Sequence, residues 1–362
     1  MGATVSSLEG VCLGRSKKVL LDYKFKRTLD RVTSLISLEH LNVNVPAWNS
    51  ELEIFWMKGL GFAADSRAEE VCNRVKAHGG SLQGLVWANA GLQQVHMPVG
   101  EPSPMESQSP PGFLGLAYSD IKALRSNLKA LSIDWCEVWS QETVQLKELG
   151  PPALKVKSPT GVTFVIHAVK SLNSWLTPEG WMDQKELQEQ NVSLPSSTPS
   201  VCLGIPYMRF MCPAGTAAGL ARFYEEIFCT QAELKKEFGS VEECWVPVGA
   251  SQWLIYREAQ PGEAVPYDGY HIAIYINHFV DAYRRAKERQ LVWNNPRFPN
   301  TTYDTEDLAV KHSEFRILKL VDPMSGEILC EVEHEIRAAS HPGFCAKEWL
   351  GNKTESQVAL NM

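Results

Sequence analysis

The sequence predicts an α+β protein built from four βαβββ modules, and three observations carry that reading. A strand leading into an amphipathic helix opens four times along the chain, the strands being LEHLNVNVP, GFLGLAYSD, IPYMRFMCP and YHIAIYIN. Further alternating stretches close each unit, twice straight after a tight turn, SPTG ahead of FVIH and DPMSGE ahead of ILCEVE. Pro- and Ser-rich segments, EPSPMESQSPPG and the stretch 172–200, part the repeats from one another. A sheet with helices on one side leaves its other side bare, so two such units placed side by side enclose a cavity.

In the first unit Leu41, Val43 and Val45 alternate with His40, Asn42 and Asn44. Asn49 or Ser50 can cap the next helix, ELEIFWMKGLG, whose Leu52, Phe55, Trp56 and Leu60 share a face. A helical piece, AEEVCNRVKAHGG, precedes the closing strand GLQQVHMPVG. The second unit places Ile121, Leu124, Leu128 and Leu131 on one side of a helix capped by Asp120 and ends in GVTFVIHAV. The third runs through the helix AAGLARFYEEIF, with Leu220, Phe223, Tyr224 and Ile227 on one stripe, to SQWLIYRE. The fourth sets Ile272, Ile274 and Ile276 on one strand face and His271, Ala273 and Tyr275 on the other. A helix over roughly 278–289 comes next, and in the last strand Ile328, Cys330 and Val332 leave Glu331 and Glu333 opposite.

A chain of 362 residues suits about two domains at ~100–200 residues each. The plan is a leader over 1–37, a first domain over 38–171 (modules 38–100 and 112–171) and a linker over 172–200. A second domain over 201–337 (modules 201–262 and 268–337) and a tail over 338–362 complete it. Hydrophobic content of 44% with 21% charged residues is that of a soluble globular chain, expected as a monomer. A formal charge of −7 and the lack of a basic stripe with interleaved aromatics argue against nucleic acid as a partner. No apolar run approaches the ~20 residues of a membrane span. Nine cysteines, an odd count with no C-x-x-C pair, point to free thiols in a reducing, cytoplasmic setting.

The N-terminus matches M-G-x-x-x-[ST] through Gly2 and Ser6, the N-myristoylation pattern. One myristoyl chain binds membrane only marginally. Cys12, or the basic residues Arg15, Lys17, Lys18, Lys24, Lys26 and Arg27, would supply the second signal that peripheral membrane association needs. The plainer alternatives are a disordered leader or an organelle transit peptide.

One imidazole and one carboxylate on the bare faces of two strands are half of what a divalent metal site needs. A lone strand histidine is more often a polar residue on a half-exposed face, but His40 and His271 occupy equivalent places in two repeats. In these features the chain resembles the vicinal-oxygen-chelate superfamily, which includes glyoxalase I, methylmalonyl-CoA epimerase, the fosfomycin-resistance enzymes and the extradiol dioxygenases. The likeness covers about residues 38–336 and is carried by the four strand–helix openings and the turns SPTG and DPMSG.

The resemblance implies two tandem glyoxalase-like domains, with metal ligands on the first and last strands of paired modules. Those positions fall on His40 and Gln94 in unit one, with His96 two residues on, and on Leu114 and Val165 in unit two. In unit three they fall on Tyr207 and on Trp253 or Gln252, and in unit four on His271 and Glu331. Pairing unit one with four collects His40, Gln94, His271 and Glu331 in one cavity; pairing two with three collects no ligands. The expectation is one metal centre and one vestigial cavity. Gln93 and His96 compete with Gln94, and Glu333 with Glu331. Such a set suits one divalent transition metal, Mn²⁺, Fe²⁺, Co²⁺, Ni²⁺ or Zn²⁺, with Glu333 and His96 as general-base candidates. The implied function is a metal-dependent enzyme of glyoxalase/epimerase type, a lyase or isomerase, acting on a small oxygenated substrate through an enolate-like intermediate. The alternatives are an Fe²⁺ extradiol-type dioxygenase and a non-catalytic binding or scaffold protein on the same fold.

Overall fold

The computed structural model describes residues 33–77, 82–91, 93–100, 107–138, 144–146, 149–170, 201–237, 241–249, 252–263 and 265–343. The expected leader up to residue 32, with Gly2, Cys12 and its basic residues, lies outside them, as do the linker 172–200 and the tail from 344.

Module one contributes β1 (Leu35–Asn42), β2 (Ala63–Ala64), β3 (Leu82–Ala90) and β4 (Gln93–Gly100), with α1 (Ser50–Glu53) and α2 (Arg67–Ala77) between them. Module two contributes β5 (Gly112–Tyr118), α3 (Ile121–Ala130), β6 (Trp135–Cys136), β7 (Leu149–Lys157) and β8 (Thr163–Val169). A short β9 (Cys202–Gly204) leads into module three: β10 (Tyr207–Cys212), α4 (Ala217–Phe228), β11 (Glu233–Glu237), β12 (Val241–Val248) and β13 (Gln252–Glu258). Module four comprises β14 (His271–Ile276), α5 (Phe279–Glu288), α6 (Glu306–His312), β15 (Glu314–Val321) and β16 (Ile328–Ala338).

The modules pair across the chain rather than along it. One sheet runs β15-β16-β14-β1-β4-β3-β2, joining module four to module one; the other runs β11-β12-β13-β10-β5-β8-β7-β6, joining module three to module two. Both seams have one design. Two first strands meet antiparallel, β1 with β14 and β5 with β10, and each lies parallel to its module's last strand.

Local chemistry sets the element ends. The Asn49 side chain accepts from the Leu52 amide and Asp120 from that of Ala123, each capping its helix as expected. The predicted helix after Asn49 is α1 for one turn only; it widens into a π turn over Ile54–Gly59, closed by Leu60 N–H donating to Phe55 O at 2.9 Å. That turn drives Trp56 fully into the core against Phe164 of module two, ring centroids 5.4 Å apart. One apolar core includes residues of both sheets and of the helices, with Leu41, Ile272 and Ile274 from one sheet and Leu114, Phe210 and Tyr256 from the other.

Two polar devices tie the sheets together. The Gln252 carboxamide accepts from Leu38 N (2.9 Å) and donates to Ile205 O (2.8 Å), while Gln93 Oε1 accepts from Ile205 N (2.9 Å). At Gly91 (φ +58°) an added Cβ would stand 2.0 Å from Leu203 O, so the β3–β4 turn needs glycine to lie against β9. Inside the core His334 takes a place that strand alternation reserves for an apolar residue. Its Nδ1 donates to Val332 O (2.7 Å), which leaves Nε2 to accept from Tyr224 (2.6 Å), and burial pushes its pKa down to about 4. Every cysteine among the described residues is a free thiol, and no helix there is long and apolar enough to cross a membrane.

Candidate metal centre

The centre lies on the face of the first sheet turned away from the helices, at the β1–β14 seam. The antiparallel ladder sets Asn42 opposite His271 and His40 opposite Ala273, so the two histidines project diagonally across the seam. A β-bulge at Glu39 shapes this end of β1: Leu38 pairs with Ile274 and His40 with Ala273, leaving Glu39 as the extra residue. The bulge explains why Leu38 and Leu41, three apart, both enter the core. It also lets the adjacent Glu39 carboxylate reach His40 Nδ1.

The two imidazole Nε2 atoms stand 3.3 Å apart, and His271 Nε2 stands 3.3 Å from Glu335 Oε2. Donors each ~2.1 Å from one ion and ~90–109° apart are separated by about 3.0–3.4 Å, so the spacing is that of ligands sharing a cation. Glu39 holds His40 Nδ1 and thereby turns Nε2 inward, the usual outer-shell arrangement for a ligating histidine. Burial pushes the His40 pKa down to about 4 against the pull of Glu39, so its ring is neutral, as coordination requires. His271 Nδ1 is buried without a hydrogen-bond partner.

Around these donors lies a buried charge cluster. Arg316 meets Glu333 (Nη1, 2.5 Å), Glu335 (Nη2, 2.5 Å) and Glu314 (Nε, 2.9 Å), and Arg337 meets Glu39 (Nη1, 3.3 Å) and Glu335. Burial alone would push the Glu335 carboxyl up; Arg316 and Arg337 hold it well below the usual carboxylate range. Four carboxylates face two guanidiniums, a surplus of two negative charges when all are ionised. Burial and the Glu335 charge push the Glu314 carboxyl up, against the pull of Arg316 and Arg337. A divalent cation would neutralise that surplus, and with two imidazoles and a carboxylate converging, the residues present fit such an ion.

The residues singled out from sequence do not all meet there. His40 and His271 come together. Gln94 lies directly beside His40 across β1 and β4. Its Nε2 donates to Asp65 Oδ2 (2.7 Å) and to Asn89, and its Oε1 stands 3.0 Å from His96 Nε2. Gln93, its competitor, faces the other way, onto Ile205. His96 is sandwiched between Trp87 and His40, with ring centroids at 4.5 and 3.7 Å. Glu333 lies opposite His271, but its Oε1 is taken by Arg316 and by Asn295 Nδ2 (2.8 Å). Glu331 lies opposite Lys319, half-buried, and belongs to neither cluster of candidate ligands. The carboxylate beside the histidines is Glu335, whose ligand atom lies within 4.8 Å of those of His40 and His271. The parallel ladder is the reason: it sets Ala273 opposite Glu335, four residues beyond Glu331, which on a strand is about 13 Å.

A second cluster, Glu39, His40 and His96, shares His40 with the first; among the described residues neither cluster involves the other sheet. There the bare face is filled. Tyr207, Trp245, Trp253 and Ile255 form an apolar cluster with Ala117 and Leu149, and His167 Nε2 is bound to Tyr207 OH at 2.7 Å. Leu114, the position singled out on β5, points instead into the main core. The site-facing neighbour is Gly115, whose missing side chain makes room for the Tyr207 ring.

No protein-family model matches the chain, and no curated protein matches it by sequence. Solved structures do. A Bacillus subtilis protein provisionally described as a dioxygenase is similar over 91% of this chain and 97% of its own, with 11% identity and a TM-score of 0.52. Glyoxalase I from Zea mays is similar over 84% of this chain and 92% of its own, with 9% identity and a TM-score of 0.49. With four modules paired on two sheets, this chain has the fold of the vicinal-oxygen-chelate superfamily.

Proposed function

We propose that this protein is a metal-dependent vicinal-oxygen-chelate enzyme with a single centre, between modules one and four. His40, His271 and Glu335 would hold one divalent transition metal and leave positions open for two neighbouring oxygens of a small substrate. The observation that carries the reading is the convergence of His40 Nε2, His271 Nε2 and Glu335 Oε2 at ligand spacing on a buried face. When bound, the ion would supply Lewis acidity to the substrate oxygens. The chain supplies the rest. Glu39 fixes the His40 tautomer, Arg316 and Arg337 keep Glu335 ionised, and Asp65 and Asn89 hold the Gln94 amide so that its oxygen faces His96.

Proton transfer in glyoxalase/epimerase-type chemistry falls to His96, stacked on the ligand His40. Glu333 would have to give up its pairing with Arg316 to act as a base, and serves as a wall of the site instead. A second reading, an Fe²⁺ dioxygenase, is favoured by one specific feature: two histidines and one carboxylate are the facial triad of non-haem iron oxygenases. Metal analysis of protein purified without oxygen, followed by oxygen-uptake assays, tests both. Metal near one equivalent per chain, lost in His271→Ala and in Glu335→Gln but kept in Glu331→Gln, is the expected result. Iron with substrate-dependent oxygen uptake would select the dioxygenase. A wild-type chain that binds no metal would refute both.

A further inference from the structure

We propose that the substrate of this centre carries a carboxylate set apart from its chelating oxygens, and that Arg297 recognises it. The proposal deepens the metal-centre reading and depends on it. Other guanidiniums around the centre have counter-ions: Arg316 meets Glu314, Glu333 and Glu335; Arg337 meets Glu39 and Glu335; Arg67 meets Asp65. Arg297, half-buried, has none. Among the described residues no carboxylate lies within the 4.0 Å of an ion pair with it. Asp268, close by in the fold, spends Oδ2 on the Ser109 amide (2.7 Å), and Glu331 stays beyond that distance.

Two independent contacts place Arg297 at the wall of the centre. Its backbone N–H donates to Asn295 Oδ1 (2.9 Å), and Asn295 Nδ2 donates to Glu333, the residue opposite His271. Its Nη2 lies 2.8 Å from where a Cβ on Gly269 would stand, and Gln108 Nε2 lies at the same 2.8 Å. Gly269 (φ +95°) comes two residues before His271, so its Cα is within about 7 Å of that ligand's. The missing side chain thus lets the Arg297 guanidinium lie against the backbone two residues before His271, while Gln108 Nε2 beside it donates to Asp268 O at 2.9 Å.

Charge accounting points the same way. The carboxylates of the buried cluster are engaged by Arg316 and Arg337 and would be neutralised further by the cation. Asp268 and Glu331 form no ion pair with Arg297, so its guanidinium is open to an incoming anion. A planar guanidinium fork matches a carboxylate through two parallel hydrogen bonds. A phosphoryl group would also fit the fork, and the test separates the two.

The full-length protein loaded with Mn²⁺ is titrated calorimetrically with three chelating 2-oxo acids: 2-oxoglutarate, 2-oxopentanoate, which lacks the distal carboxylate, and 2-oxo-4-phosphonobutyrate. The expected result is binding of 2-oxoglutarate about tenfold or more tighter than 2-oxopentanoate. In Arg297→Met that ratio should fall to about one with Mn²⁺ affinity unchanged; Arg297→Lys should keep part of it. Equal affinities in the wild type, or a preference that survives Arg297→Met, would overturn the proposal, and a phosphonate bound much more tightly than the carboxylate would overturn the choice of anion. Manganese bound without preference sinks only this proposal, whereas no manganese bound sinks the metal reading and this with it.

Discussion

Replacing Glu335 by Gln separates two consequences that the structure ties to one side chain. Glu335 is 2% exposed and carries the charge shared by Arg316, Arg337 and His271. Removing one partner of a buried ion pair typically costs about 3–5 kcal/mol. Arg316 keeps Glu314 and Glu333, and Arg337 keeps Glu39, so the cost here belongs at the lower end, about 3 kcal/mol. The second consequence is linkage. A metal at a hundred times its dissociation constant raises the stability of the wild type by about 2.7 kcal/mol, since the unfolded chain has no assembled site. Glu335→Gln should lose that increment, whereas Glu331→Gln should keep both the increment and the metal-free stability. Denaturant unfolding of the three proteins, with and without Mn²⁺, reads both quantities at once. A Glu335→Gln protein that still gains about 2.7 kcal/mol from metal, or a Glu331→Gln protein that gains nothing, would refute the assignment of Glu335 as the ligand.

The same geometry sets further expected outcomes. Arg209→Met leaves the fully buried Glu243 without its guanidinium, with the Trp245 indole N–H as its one remaining side-chain donor among the described residues, and should cost about 3–5 kcal/mol in denaturant unfolding while metal stoichiometry is unchanged. Gly91→Ala should destabilise the chain through both its positive φ and the clash with Leu203 O; a midpoint equal to wild type would contradict the close approach. Burial pushes His167 down to about 4 from an ordinary 6.5, so the unfolded chain takes that proton first. Its neutral form therefore contributes stability that is complete above pH ~6.5 and is lost as pH falls through ~4, at most about 3 kcal/mol. His167→Gln should flatten the acid limb of a stability–pH profile by that share, although His40 and His334 contribute limbs of the same sign. Gln94→Ala should lower metal affinity far less than His271→Ala, because Gln94 is bound to Asp65, Asn89 and His96.

The α+β class and the repeated strand–helix openings were legible in the sequence because they are written in local periods. Alternation placed Ile272, Ile274 and Ile276 in the core and His271 on the other face, and turn chemistry marked the closing strands. Helix ends at Asn49 and Asp120 were equally local. The widening of the first helix into a π turn was not, since it comes from fitting Trp56 against Phe164 of another module.

The sequence alone determined which faces of β1, β14 and β16 are polar, and so the short roster from which a site could be drawn. Only the tertiary structure decided which carboxylate meets the histidines. Glu331, Glu333 and Glu335 alternate on one strand, and a two-residue slip of β16 returns every side chain to the same face, so the hydrophobic pattern is blind to it. The ladder that sets Ala273 beside Glu335 fixes that register through backbone hydrogen bonds, which no side-chain pattern encodes. The bulge at Glu39, the pairing of Arg316 and Arg337 with Glu335, and the place of Arg297 beside Gly269 were hidden for the same reason: each joins residues far apart in the chain through a fold that must form first.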